Sequence, residues 1–173
     1  MPESTESAPL SNAASYVNAA RSLTPEIQAA RRDIEHQRTL PTQLVEVMTE
    51  AGFFRLWRCH ALGGPELSFA QFAHVIEELS RADGSVGWCA MVASVLSRLS
   101  GYLPKDIARG IFSDNSRLAG SINPTGKAMA VSGGYRVSGR WSYGSFIQHS
   151  NWTIGNSIVH DADGPAPQLK WRA

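Results

Sequence analysis

The sequence carries almost no net charge. Its 173 residues include 16 lysines and arginines and 15 aspartates and glutamates, so the formal net charge is +1. The basic residues form no block along the chain. Binding to nucleic acid or to an anionic membrane surface depends on concentrated positive charge, so we expect neither as a partner.

Cysteines are also scarce. The two cysteines, Cys59 and Cys89, form no CxxC pair. They are too few for a disulfide framework or a zinc site, so we predict free thiols in a reducing compartment and no metal. Cys89 lies in an apolar run, which predicts a small buried side chain.

Long hydrophobic runs are missing as well. The longest apolar run, Val86–Leu96, is shorter than the roughly 18–20 residues that span a bilayer. The N-terminal residues lack the basic and apolar regions of a signal peptide, so a cytoplasmic location is expected.

Several motifs with well-understood chemistry are absent. The sequence contains no GxGxxG, no GxxxxGK[ST] and no GxSxG, which leaves no signature for a Rossmann dinucleotide site, a P-loop or a nucleophile elbow. His74 and Glu77 stand one helical turn apart without a second matching pair. We interpret them as an exposed helix face rather than a metal site.

The first two thirds of the chain have helical patterns. We predict a disordered lead-in over residues 1–13 and a helical N-terminal domain over residues 14–115. Ser68 with Gln71 forms a capping box, Asp83 and Ser85 are both plausible N-caps for the apolar run, and Gly52 is a helix stop. The predicted helices run from Ala14 to about Gln37, from Pro41 to Gly52, from Ser68 onward, over Val86–Leu96 and from Pro104 to about Phe112, with a short extended run over Phe53–Trp57.

After residue 115 the spacing of apolar residues changes from a helical one to the alternation typical of strands. Residues 116–173 are predicted to be a partial β-barrel-like middle domain. The pair Gly133-Gly134 predicts a hairpin turn. Tyr135–Ser138 alternates apolar and polar residues, as a half-buried strand should. The predicted strands are Leu118–Ile122, Ala128–Val131, Tyr135–Ser138 and Trp152–Val159, and the sheet looks unfinished.

One motif in the β region is specific. The run GGYRVSGRWSYGSFIQHSNW, residues 133–152, strongly resembles a segment of flavin-dependent monooxygenases of the acyl-CoA dehydrogenase superfamily. Residues 40–92 agree with the helical N-terminal domain of that family in order and spacing, and the resemblance covers roughly residues 15–159. It implies an α+β chain: an acyl-CoA dehydrogenase-like helical domain, then the beginning of an antiparallel β-domain, with the family's C-terminal helical bundle missing.

The resemblance also implies a cofactor and partners. Family members use reduced FMN or FAD from a separate flavin reductase, together with O2, to hydroxylate an aromatic or related small molecule, and they are homotetramers. Ser145 matches the family serine near flavin N5, and Trp141 matches the aromatic residue at the isoalloxazine ring. In the loop GSINPTG, residues 120–126, the matching flavin-binding residues are Ser121, Asn123 and Pro124.

Other positions follow the family pattern less closely. Trp88 lies where the helical domain is expected to meet the substrate and flavin pocket, and His149 is expected to pack or to support the site residues rather than to act as a base. Phe146 stands where the family usually has glycine. Several relatives place a histidine on the apolar helix, but residues 94–98 read SVLSR.

Two alternatives remain at this point. One is a flavin desaturase of the acyl-CoA dehydrogenase type, although the loop SINPTG differs from the TEPGAGSD type of those enzymes. The other is an inactive remnant that associates with a full-length paralogue through an exposed sheet edge. We expect a truncated or fragmentary member of the monooxygenase family.

Overall fold

A computed structural model describes residues 12–161 and 164–165. Six α-helices precede a small sheet in this part of the chain. The helices are α1 (Ala13–Ser22), α2 (Thr24–Gln37), α3 (Thr42–Glu50), α4 (Phe69–Ala82), α5 (Gly84–Ser97) and α6 (Lys105–Ile111), with 3-10 turns at His60–Leu62, Arg98–Gly101 and Ile147–His149. The strands are β1 (Leu118–Val131), β2 (Gly134–Ser138), β3 (Trp152–Asp161) and β4 (Gly164–Pro165). Most of the predicted lead-in lies outside the described residues.

The first predicted helix is wrong in one respect, because it is two helices. The helical conformation is interrupted at Leu23, and Pro25 lies in the first turn of α2. Proline has no backbone N–H and its ring clashes with the preceding turn, so α1 cannot continue through it. The side chain of Asn12 accepts a hydrogen bond from the Ser15 N–H at 3.0 Å and caps α1.

The helix caps follow the sequence closely. The capping box of α4 is confirmed, since Ser68 and Gln71 each bond the other's backbone N–H. Of the two candidate caps for α5, the carboxylate of Asp83 fills the position and accepts from the N–H groups of Ser85 and Val86 at 2.8 and 3.3 Å. Satisfying these orphan donors stabilises a helix by about 1 kcal/mol per cap.

Helices α4 and α5 pack closely on each other. A Cβ atom on Gly87 would overlap the side chain of Ser80, so the glycine permits this approach. The core around them is formed by apolar side chains of α1 to α5, including Ile27, Met48, Val75, Leu79 and Val86, together with Phe53 from the segment after α3.

Gly52 ends α3 with a φ of +81°, as the sequence predicts. The extended run predicted after it is wrong, because Phe53–Trp57 forms consecutive turns instead. Phe53, Phe54 and Leu56 are fully buried in this compact conformation, and burial of large apolar side chains outweighs local strand propensity.

A buried arginine ties these turns to the segment before β1. Arg58 is 1% exposed, and its guanidinium donates to the Ser113 carbonyl at 2.6 Å and to the Asp114 carboxylate at 2.7 Å. Arg55 also lies 3.2 Å from that carboxylate. The hydrogen bond from Arg58 is the main reason why the pKa of Asp114 is lowered.

The sheet has the order β2-β1-β3-β4. The fold class is confirmed, but the sheet is mixed rather than antiparallel, because β1 and β3 pair in parallel. Residues 118–122 and 128–131, predicted as separate strands, are parts of the single strand β1. The intervening residues bulge between the Ser121 and Gly126 pairing positions.

The hairpin between β1 and β2 turns one residue earlier than predicted. Val131 pairs with Gly134, so the turn is Ser132-Gly133, and Gly133 adopts a φ of +81°. The prediction of a half-buried β2 is also wrong, since all of its residues are exposed. Both faces of this strand are therefore largely open in the part of the chain that the structure describes.

Across residues 12–161 and 164–165, no helix combines the length and apolar character needed to cross a membrane.

Candidate functional site

The segment between β2 and β3, residues 139–151, leaves the sheet and contacts the helices; we call it the return loop. Phe146 anchors it. Its ring is 6% exposed, belongs to the helical core and lies 4.5 Å from the ring of Phe54. Phe146 has a φ of +68°, a left-handed conformation that costs a side chain roughly 1–2 kcal/mol. Glycine, which the family usually has here, adopts this conformation without that cost.

Further contacts hold the C-terminal half of the return loop. His149 Nε2 lies 2.9 Å from Thr39 Oγ1, and the His149 ring packs against Phe146 at 5.5 Å. The guanidinium of Arg117 donates to the His149 carbonyl at 2.6 Å. Burial, and then the charge of Arg117, lowers the pKa of His149. His149 therefore packs against Phe146 and also lines the same cleft as Ser145.

These anchors place Ser145 beside Trp88. The indole N–H of Trp88 donates to Ser145 Oγ at 3.0 Å, across 57 positions of sequence. An indole nitrogen can only donate, so the serine oxygen is the acceptor and its own proton stays available for another acceptor. Trp88 is 55% exposed, so the pair lies at an accessible surface.

Ser145 also lines an open cleft of about 730 Å³, which we call the Ser145 cleft. Its walls are the end of α2, the start of α5 and the return loop. Trp88, Trp141 and the β1 bulge are not part of this wall.

Cys89 lines the Ser145 cleft and is half-buried rather than fully buried as predicted. Burial, with a smaller contribution from the charge of Asp83, raises the pKa of its thiol to about 11. Because a thiol reacts as the thiolate, Cys89 is a weak nucleophile at neutral pH. Both cysteines are free thiols, as predicted.

Trp141 packs closely against three glycines, Gly126, Gly139 and Gly155. Its indole N–H donates to the Asn156 carbonyl at 2.7 Å. A Cβ atom would overlap the ring at Gly126, and would lie 3.0 Å from it at Gly139 and 2.9 Å at Gly155. Larger residues at these three positions would displace the tryptophan.

The β1 bulge carries the other predicted flavin-binding residues. Ser121 Oγ accepts from the Asn123 N–H at 3.3 Å, and both Asn123 and Pro124 are exposed. The side-chain amide of Asn156 donates to the Ile122 carbonyl at 2.9 Å. Oxygen and N–H groups on an exposed, fixed backbone segment can bind the polar edge of a planar ligand.

Asn156 connects the two parts of this region, because it contacts both the bulge and Trp141. Sequence reasoning missed it, and its opposition to the bulge appears only once β1 and β3 are paired. The structure therefore brings Trp88 to Ser145, and Trp141 to the bulge that holds Ser121, Asn123 and Pro124. No hydrogen bond between described residues joins these two groups.

Among the residues that the structure describes, no three histidine, cysteine or acidic side chains converge as metal ligands would.

Comparison with known proteins agrees with this fold and motif. Residues 15–100 match the family described as "Acyl-CoA dehydrogenase, N-terminal domain". The chain is 28% identical over 153 residues to the flavin-dependent monooxygenase, oxygenase subunit HsaA, of Mycobacterium tuberculosis, covering 87% of this chain and 39% of that protein. It is 29% identical over 147 residues to the FADH(2)-dependent resorcinol hydroxylase, oxygenase component, of a Rhizobium species. That match covers 84% of this chain and 34% of the relative.

Solved structures give the same result. The crystal structure of the HsaA monooxygenase from M. tuberculosis superposes with a TM-score of 0.83 at 28% identity, over 90% of this chain and 41% of that one. XiaF from a Streptomyces species, in complex with FADH2 and glycerol, superposes with a TM-score of 0.82 at 26% identity. The match covers 88% of this chain and 39% of XiaF.

These findings define first a class: the helical region is an acyl-CoA dehydrogenase-type N-terminal domain. The chain belongs to the acyl-CoA dehydrogenase superfamily and corresponds to the N-terminal portion of its flavin-dependent monooxygenases. It spans about 39% of the length of the first of these curated relatives.

Proposed function

We propose that the chain forms part of a flavin-dependent monooxygenase that hydroxylates an aromatic or related small molecule, using O2 and reduced FMN or FAD from a separate reductase. The observation that carries the proposal is the hydrogen bond from Trp88 to Ser145. It joins two residues that the family resemblance assigns to substrate and to flavin. The relatives above are named as monooxygenases or hydroxylases, which favours hydroxylation over acyl-CoA desaturation.

The residues present suit a flavin. Bound reduced flavin supplies the electrons with which O2 is activated. Ser145 retains a free hydroxyl proton that can be donated to a ring nitrogen, because its oxygen already accepts from Trp88. Trp141 offers a fixed aromatic surface, and Ser121, Asn123 and Pro124 lie on the fixed bulge beside it.

Trp88 then has two roles in this proposal. Its exposed ring offers a surface on which an aromatic substrate can stack. Its N–H holds the oxygen of Ser145, so the serine hydroxyl points away from the indole. Substrate and cofactor contacts would thus meet at one pair of side chains.

The proposal is tested by flavin binding. Reduced FMN and FAD would be titrated anaerobically into the purified chain and into S145A, with binding followed by flavin fluorescence. Loss of one hydrogen bond to the ring should weaken binding by about tenfold. S142A is the matched control, because Ser142 is an exposed serine of the same loop.

Two outcomes would contradict the proposal: no saturable binding of either flavin, or flavin binding by S145A that is as tight as that by S142A.

A separate experiment tests the substrate class: hydroxylation of aromatic acids and of phenols is measured in the presence of a flavin reductase. Sedimentation velocity would test the homotetramer that the family resemblance implies.

A further inference from the structure

A second cleft lies at the other end of α5, in a region to which no functional motif was assigned. Trp88 is near the start of α5, whereas Arg98 directly follows its end. This cleft, which we call the Trp57 cleft, has a volume of about 450 Å³. That volume is within the range of small-molecule sites. Its lining includes Trp57, Cys59, Glu66, Phe69, Arg98 and Tyr102.

Trp57 forms a fixed aromatic surface in this cleft. Its ring lies 4.3 Å from the ring of Phe72 and 6.2 Å from that of Phe69. The guanidinium carbon of Arg98 lies 5.6 Å above the indole, in cation–π contact. Both the ring and the cation are therefore held in place before any ligand arrives, which lowers the entropy cost of binding.

Two aromatic side chains at the same cleft are largely exposed. Phe69 is 74% exposed and Tyr102 is 71% exposed. Large aromatic rings that flank a concave site are typical of ligand recognition, since each can bury a wide apolar area when a planar molecule binds.

The side chain of Arg98 has no ion-pair partner in this cleft. It makes no hydrogen bond or ion pair with the residues that the structure describes, so its N–H donors are available to a ligand. Glu66 is the acidic residue of the lining, and its carboxylate accepts from the His60 N–H at 2.8 Å. A carboxylate ligand would match the planar fork of Arg98 in a bidentate arrangement.

We infer that the Trp57 cleft binds a planar aromatic monoanion, such as an aromatic carboxylate, with its ring against Phe69 and Tyr102 and its acid group on Arg98. This site is separate from the one at Ser145 and does not depend on the proposed monooxygenase function. An inorganic anion would use Arg98 but not the aromatic rings, and a neutral aromatic molecule would use the rings but not Arg98.

The test is a titration followed by NMR of the tryptophan indole and arginine Nε–H signals of the full chain. The probes are 1-naphthoate, 1-naphthalenemethanol and inorganic phosphate. Naphthoate should shift the signals of Trp57 and Arg98 saturably, and R98Q should weaken this binding by about tenfold, the effect of one charge-assisted hydrogen bond. Naphthalenemethanol and phosphate should each bind more weakly than naphthoate by a similar factor.

The matched control is R136Q, since Arg136 is an exposed arginine of β2 that lines neither cleft; it should bind naphthoate like the wild type. Y102S supplies a second variant at an exposed position, so a folding defect in R98Q would not leave the inference untested. The inference is overturned if naphthoate gives no saturable shift at Trp57, if R98Q binds like R136Q, or if phosphate binds as tightly as naphthoate.

Discussion

Arg58 shows how a single charge can be buried in this chain. Its two terminal guanidinium nitrogens donate to the carbonyls of Ser113 and Gly63 and to the Asp114 carboxylate, which is the charged acceptor at 2.7 Å. Asp114 is itself 80% exposed, so water reaches one side of the pair. The net stabilisation is therefore smaller than that of a fully buried ion pair.

We expect D114N to destabilise the fold by about 1–2 kcal/mol, because Arg58 stays buried without its charged partner. Urea denaturation followed by circular dichroism measures the effect. D106N is the matched control: Asp106 lies 3.9 Å from Arg109 and is fully solvated, so its loss should cost less than about 0.5 kcal/mol. Equal effects of the two substitutions would contradict the role assigned to Asp114.

His149 makes stability depend on pH. Its pKa is lowered in the fold by burial and by Arg117, so the unfolded chain binds a proton more readily than the folded one. The contribution of His149 is therefore complete above its unfolded pKa of about 6.5 and is lost as pH falls toward its lower folded pKa.

As the pH is lowered from about 7.5 to about 5, the free energy of unfolding of H149Q should therefore fall less than that of the wild type. The measurement is the free energy of unfolding in urea at several pH values. H74Q, on an exposed helix face, should keep the wild-type slope. A wild-type slope in H149Q would show that another group controls the dependence.

At the scale of elements, the return loop buries one aromatic ring in the helical core, and that residue has a strained backbone conformation. Phe146 combines 6% exposure with a φ of +68°. Removing the ring costs packing, whereas changing the residue to glycine also relieves the strain. The two effects can be separated by comparing two substitutions at one position.

F146A should destabilise the protein by about 3–5 kcal/mol, and F146G should be more stable than F146A by about 1 kcal/mol. The free energy of unfolding of both variants tests this order. Phe72 provides the control, since it is similarly buried but lies within α4. There, F72G should be less stable than F72A by about 1 kcal/mol. The same order at both positions would argue against strain at Phe146.

Elements with local signals could be predicted from the sequence, and those that depend on distant contacts could not. Ser68 and Gln71 lie within one turn of helix, so their capping box was readable directly. The break at Pro25 is equally local: proline suits the first turn of a helix, so Pro25 begins α2 and does not lie inside one long helix as predicted. The parallel pairing of β1 with β3 joins Leu118 to Trp152, and no local pattern specifies a partner so far along the chain.

At the scale of the whole molecule, burial is distributed unevenly. The helical core contains fully buried side chains from α1 to α5, and the first residues of β1 are buried as well. The far end of the sheet is different, because every residue of β2 is exposed. Few buried contacts mean that local opening of β2 costs little free energy.

Amide hydrogen exchange should therefore be at least about 100-fold faster in β2 than in α4 and α5, a difference of about 3 kcal/mol in opening free energy. Leu118 and Ala119 give a control within the same sheet: they are buried, and their amides should exchange as slowly as those of the helices. Uniform protection across β1 and β2 would contradict this division.

The candidate site shows the same division between sequence and structure. The motif of residues 133–152 pointed to the family, and the resemblance to that family predicts roles for Ser145, Trp141 and Trp88. Phe146 stands out in the sequence only as a departure from the family's usual glycine.

The sequence by itself determined the helix caps, the glycine turns, the family and the residue types of the proposed flavin site, since these depend on short segments. Only the tertiary structure decided that Trp88 donates to Ser145, that Asn156 joins Trp141 to the bulge, and that Arg98 lies over Trp57. The reason is physical: each of these contacts joins residues far apart in sequence, and their geometry is fixed by how the helices and strands pack rather than by any local preference.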